Sequence, residues 1–407
     1  MTYLQVRNKA GHTSLLSNST RTFLIILCLN GIANSLSNIF VNIFLFKVSQ
    51  NLYEVALFNF VSYVVWMPAF LFAGILSKKI ERKLCIIIGS VLQLVFYLCI
   101  IGLGKTSVDM LIPLGLIFGI GSGFYWLSVN VLTVDYTNDN NRDWFNALNG
   151  IFHSISQMIG PLTAGWIVVM FPGFMGYKTI FALSFLFFLA SMFFTFFLPN
   201  TTEKSSFDYK SMFAMYGHKE WRYIAYVFSS LAFRDGVLSF IIWIWVYMVT
   251  KSEGQLGNYA FITTGFSIIT FYLIGRFGRQ EQKWSFIVWG SVFLSLSIFI
   301  LVYKVNYITL LVYGLTSAIC IPLFQIPFNT LSLNSISKFD ENGKLRIEMV
   351  VSRELALSAG RIPSVGCVML IYFLSKNPEA AIPYFMALII LIGLTSIYFL
   401  REYKHTL

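Results

Sequence analysis

The sequence predicts an all-α integral membrane protein whose twelve transmembrane helices form two pseudo-symmetric six-helix halves. Three observations carry this prediction. Hydrophobic residues make up 57% of the 407 residues and charged residues 12%, with a mean hydropathy of +0.72, outside the range of an ordinary soluble domain. Twelve apolar runs of about 20 residues follow one another, each long enough to cross a bilayer as a helix. Elements of the first half also return about two hundred residues later in the same order, the mark of an internal repeat.

Residues 1–21 are a polar tail with no secretory leader expected, since Arg21 directly precedes an apolar run too long for one. The first half is 22–199. Its first span, about 22–46, carries Asn30, Asn34, Asn38 and Asn42 at spacing i, i+4. Each step drifts only ~40° round a helix, so the four make one polar stripe. Unpaired amides are costly in hydrocarbon, so the stripe faces helices or water. We read Asn30, Asn34 and Asn38 as a cavity wall, because interhelical glue would not need the full length. Spans at 53–77 and 84–104 flank a basic loop. The fourth, 110–134, places Trp126 and Asn130 at one depth. The fifth, 146–171, carries His153 and Gln157 on one face, then Gly160, Pro161 and Gly165. Small residues there allow close helix approach, and the proline removes a backbone hydrogen bond. The sixth span is 179–198.

The longest polar connection, 200–220, is expected to join the halves. The second half, 221–400, opens with a span at 221–249 holding Arg234 and Asp235 near its middle. Spans at 258–276 and 284–303 follow. The tenth, 307–332, sets Gln325 and Asn329 at the depth of Trp126 and Asn130. The eleventh, 349–374, contains Arg353, Glu354, Arg361 and Pro363. A charge at the bilayer centre costs from ~2.5 to over 10 kcal/mol. Arg353 and Glu354 can reach the interface; Arg361, two turns deeper, is expected to point into a wet cavity. The last span is 381–400, with a tail at 401–407. Gly160 aligns with Gly360, His153 with Arg353, Gly89 with Gly290 and Asn130 with Asn329, all at nearly one offset.

The net charge of +11 is no nucleic-acid signature, because twenty-one of the 29 Lys and Arg residues fall in the terminal and even-numbered loops and six in the odd loops. The remaining two, Arg234 and Arg361, lie deep inside spans. The positive-inside rule then places both termini in the cytoplasm. The five cysteines sit at scattered spacing in apolar runs and suggest neither disulfides nor a metal site. No phosphate-cradling loop, metal-ligand spacing or nucleophile–base set is present, so no enzyme, cofactor or metal is expected.

After the second span comes Gly74-Ile75-Leu76-Ser77-Lys78-Lys79-Ile80-Glu81-Arg82-Lys83. This resembles the major facilitator superfamily signature G-x-L-x-D-R-x-G-R-K. Gly74, Leu76, Lys79, Arg82 and Lys83 match, while Lys78 stands at the gating aspartate and Glu81 at the second glycine. Gly275-Arg276-Phe277-Gly278-Arg279 is a degenerate echo in the second half. Gly160-Pro161-Leu162-Thr163-Ala164-Gly165 is similar to the family's fifth-helix antiporter motif, with Ala164 replacing a glycine. The resemblance, nearest to bacterial drug and metabolite exporters, implies a cell-membrane secondary transporter, acting as a monomer by alternating access. It implies proton-coupled export of a small amphipathic or anionic compound, although the fourth span lacks the basic residue usual in proton-coupled drug antiporters. Gly74, Lys79, Arg82, Gly160, Pro161 and Gly165 would serve gating. Asp235 and Glu354 are the candidate proton carriers, with Arg234 or Arg361 holding the substrate's anionic group. A lipid flippase on the same fold, or a non-transporting sensor, is the alternative.

Overall fold

The computed structural model describes residues 16–137, 142–200, 205–277, 280–339 and 345–406. Its long helices are α1 (Asn18–Ser49), α2 (Leu52–Ser77), α3 (Arg82–Leu103), α4 (Leu111–Asp135), α5 (Arg142–Met170) and α6 (Met175–Thr195). The second series is α7 (Lys219–Thr250), α8 (Glu253–Phe277), α9 (Lys283–Leu296, continued by Ile298–Tyr303), α10 (Tyr307–Phe339), α11 (Arg346–Leu374) and α12 (Pro378–Thr406). No strand occurs among the described residues. Among the described residues ten stretches are long and apolar enough to cross a membrane, and one of them, Arg82–Thr133, holds α3 and most of α4. Helix α5 lies outside these ten.

The helices overrun their apolar runs because polar residues can form and cap the outer turns. Ser17 accepts the Thr20 N–H at the start of α1, and Asn51 accepts the Tyr53 N–H at the start of α2. At the far end α12 continues through Thr406, so 401–406 extend that helix rather than forming a separate tail.

The packing repeats with a step of six. In the first half α1 packs on α5 and α6, α2 on α4, and α3 on α4 and α6. In the second, α7 packs on α11 and α12, α8 on α10, and α9 on α10 and α12. Matched glycines occupy matched contacts. A Cβ at Gly89 would lie 2.6 Å from the Tyr125 nitrogen, and one at Gly290 would lie 3.0 Å from the Phe324 nitrogen. Gly160 seats α5 on Ser35 of α1, as Gly360 seats α11 on Ser229 of α7. Even the caps correspond: Gln50 after α1 and Lys251 after α7 are both left-handed, with φ 54° and 52°. Between the series the main contacts are α5 with α8 and α2 with α11, and α1 also touches α7.

From residue 205 onward the connection between α6 and α7 packs against the bundle. It carries a short helix, Tyr209–Ala214, capped by Asp208, whose carboxylate accepts the Ser211 N–H and hydroxyl. Met212 is buried in one cluster with Ala73, Cys85, Ile347 and Val351. Below, the end of the bundle bearing this linker is called the linker end.

Candidate functional site

Ion pairs join the two series of helices at both ends. At the linker end the Lys78 ammonium meets the Glu348 carboxylate, carrying a contact from the end of α2 to the first turn of α11. Glu348 Oε1 also accepts the Asp208 N–H at 2.9 Å. Lys78 reaches the Ser206 carbonyl and lies 5.8 Å from the Phe207 ring centre. The position that holds an aspartate in the signature thus carries a cation here, and its partner on α11 is an anion. Gly74, beneath this contact, faces Val351, Ile347 and Phe207. Arg82 bonds Asp135 at 2.5 Å and ties α3 to α4 within one series; Lys79 is exposed. In the second-half echo, Gly278 and Arg279 lie outside the described residues.

At the opposite end Lys47 of α1 meets Glu253 of α8 at 2.6 Å, and the Tyr177 hydroxyl donates to the same carboxylate at 2.9 Å. Close backbone contact accompanies the pair. Gly165 abuts the Glu253 carbonyl, and a Cβ on Gly257 would lie 2.6 Å from the Pro161 carbonyl. Gly165 and Pro161 therefore sit at the α5–α8 crossing, whereas Gly160 packs within the first series.

Two further pairs lie near mid-helix. On α7 the Arg234 guanidinium donates twice to Asp235 Oδ1, at 2.7 and 2.5 Å, so these neighbours pair with each other despite their ~100° separation. On α11, Arg361 donates to Glu354 at 2.7 Å and lies 5.5 Å from the Trp66 ring centre and 6.0 Å from that of Tyr63, both on α2. Glu354 is buried beside Arg361, two turns along one helix, rather than paired with Arg353. Arg353 instead donates to Asn130 of α4 at 3.2 Å. Each deep arginine thus already has a carboxylate, so an anionic group reaching Arg234 or Arg361 would have to share or displace that partner.

The asparagine stripe also divides. Asn30, 2% exposed, is wedged between α1 and α6, donating to the Ile26 carbonyl and the Ser191 hydroxyl. Asn42 accepts from Asn59 of α2 at 2.7 Å. Three steps of ~40° turn the stripe through ~120°, so its ends meet different neighbours. These two amides are interhelical glue. Only Asn34, half-buried, and Asn38, exposed, keep the character of a wall. His153, Trp126 and Gln325 are exposed and Gln157 is half-buried; the Asn329 side chain lies outside the described residues.

Two cavities sit among these groups. One of about 700 Å³ lies at the end opposite the linker, lined by Gln50, Trp245, Tyr247, Lys251 and Tyr372. The other, about 320 Å³, is a cleft between α7, α8 and α10 that holds Arg234 and Asp235. Among the described residues no group of three or more His, Cys, Asp or Glu side chains could hold a metal. Sequence reasoning singled out Lys78 only as a departure from the motif and missed Glu348, Lys47 and Glu253. The only signal was charge near helix ends, with nothing to match partners 206 and 270 residues apart.

A helical membrane bundle of two like series, with charged groups at depth and paired charges across its seam, has the build of a transport protein. Residues 23–343 match the family model of the Major Facilitator Superfamily, and the chain belongs to that family. Membership points to a transporter rather than an enzyme. A relative, the uncharacterized protein YqgE of Bacillus subtilis, is 34% identical over 357 residues, 87% of this chain and 83% of that protein. Among solved structures, a peptide transporter in complex with sulfate superposes with a TM-score of 0.73 at 11% identity, covering 99% of each chain. An inward-facing bacterial homologue of the iron transporter ferroportin gives 0.68 at 15% identity, covering 96% of this chain and 99% of that one. At such identities the likeness is one of fold.

Proposed function

We propose that this protein is a monomeric secondary active transporter of the cell membrane, working by alternating access and exporting a small solute in exchange for protons. The observation that carries the reading is the pair of ties across the seam, Lys78–Glu348 at one end and Lys47–Glu253 at the other, with the Arg234–Asp235 cleft between them. Two halves rocking about a midplane site must break one end while holding the other. The distribution of basic loops supports placing the linker end in the cytoplasm. The Gly160–Gly165 motif supports export. Asp235, which is 58% exposed in the cleft, suits a coupling carboxylate better than the enclosed Glu354, because a proton must reach it from water.

Cross-linking tests this. With the native cysteines replaced, Lys78→Cys paired with Glu348→Cys, and separately Lys47→Cys paired with Glu253→Cys, should each form a disulfide that stops flux in proteoliposomes. Reduction should restore flux. Full transport with either pair fully cross-linked would refute alternation at these ends.

A further inference from the structure

A further inference follows from the cleft between α7, α8 and α10. It rests on the transporter reading above and concerns what the cleft accepts.

Its floor is the Arg234–Asp235 pair, and the two members are presented unequally. Arg234 is 12% exposed and Asp235 58%. Both guanidinium bonds end on Oδ1, so Oδ2 makes no bond among the described residues. An incoming solute therefore meets the carboxylate first, with the guanidinium directly behind it. The walls add hydroxyls. The Ser317 hydroxyl is buried beside Tyr313, and Thr264 and Ser267 line the opposite side. The Trp243 and Tyr259 rings meet edge to face at 5.7 Å and give the cleft an apolar wall. At about 320 Å³ the space lies at the small end of the ~300–1,000 Å³ typical of ligand pockets.

Charge balance then selects the ligand. A simple anion drawn to Arg234 must displace Asp235 and strand that carboxylate. A simple cation on Asp235 leaves Arg234 with an uncompensated charge 2.5 Å away. Because Arg234 is enclosed, leaving its charge unbalanced is expensive, and stranding the more exposed Asp235 beside it adds a smaller penalty. A solute carrying both an ammonium and a carboxylate a few ångströms apart can satisfy Oδ2 with one and the guanidinium with the other, leaving the cleft neutral. We infer that this cleft binds small zwitterions of the amino-acid type, with ammonium on Asp235, carboxylate on Arg234 and the apolar part against Trp243 and Tyr259.

Purified full-length protein in detergent is titrated with a panel of free amino acids spanning side-chain sizes, with their amides as cations and their N-acetyl forms as anions. Binding is read by thermal unfolding and tryptophan fluorescence. At least one free amino acid should bind ten-fold or more tighter than both blocked forms of itself. Asp235→Asn should move preference toward N-acetyl forms and Arg234→Gln toward amides. The double variant Arg234→Gln with Asp235→Asn, which strands no charge, should lose charge preference while still folding. No binding by any free amino acid, or equal or tighter binding of a blocked form to the unaltered protein, overturns the inference. That result leaves the cross-linking test of alternation untouched, so the two readings fail separately.

Discussion

Glu348→Gln isolates the linker-end tie. The carboxylate is fully enclosed and the Lys78 side chain is 5% exposed, so the pair belongs to the buried class, where loss of one partner costs ~3–5 kcal/mol. The lower end applies, because Lys78 keeps the Ser206 carbonyl and the Phe207 ring. Opening this end hydrates both groups, so the ~3 kcal/mol falls on the closed state alone. At ~1.4 kcal/mol per decade, the balance shifts toward linker-end opening about 100-fold. The assay is thiol labelling of Val351→Cys, a fully buried position on α11 facing Gly74, in a chain whose native cysteines are replaced. Labelling should speed up by about two decades in Glu348→Gln. The exchanged pair Lys78→Glu with Glu348→Lys should recover part of the difference. Unchanged labelling in a folded Glu348→Gln protein would refute the assignment of this pair as a tie.

Glu253→Gln at the other end should act in the opposite sense and more weakly. Lys47 is 30% exposed there, which limits the effect to ~1 kcal/mol, about fivefold in labelling of the opposite cavity. Gly360→Ala should lower the unfolding temperature by the equivalent of ~1–3 kcal/mol, because the new methyl meets the Ser229 carbonyl; Gly102→Ala, where nothing lies within 4 Å, should not. Asp235→Asn should abolish accumulation driven by a pH gradient in vesicles, and persistence of that accumulation would leave Glu354 as the carrier. In the linker, the Ser211 hydroxyl and N–H hold the Asp208 carboxyl below its ordinary value of 3.8. A lowered carboxyl stabilises above that value and loses the contribution as pH falls through its folded value. Hydrogen exchange in Tyr209–Ala214, corrected for its intrinsic pH dependence, should therefore rise on acidification, and Asp208→Asn should flatten the rise.

What was legible in the sequence is what repeats or costs energy locally. Gly160 with Gly360 and Gly89 with Gly290 stood out because close helix contacts tolerate few side chains, and both pairs occupy equivalent crossings. The depth of Arg361 was legible from the length of its helix. Its partner was not: Glu354 lies seven residues earlier, and reaching it depends on rotamers that two intervening turns do not dictate. The asparagine stripe was visible as a pattern, but its ~120° of turn meant that Asn30 and Asn42 met α6 and α2 instead of one common space. Lys78 read as a defect in a motif. Only the fold brings it to an oppositely charged residue 270 positions away, so that the contact survives with its polarity exchanged.

The linker's docking has a practical consequence for anyone tagging this protein. The Asp208 N–H shares Glu348 with Lys78, the Ser205 N–H donates to the Lys78 carbonyl, and the Tyr216 hydroxyl donates to the Ser352 carbonyl of α11. An epitope or fluorescent insert placed in this stretch as a neutral reporter of sidedness would pry apart the joint it was meant to observe. It would bias the molecule toward one conformation and return a distorted answer. A fusion at the carboxyl terminus, beyond Tyr403, leaves that joint intact and is the sounder place for a label.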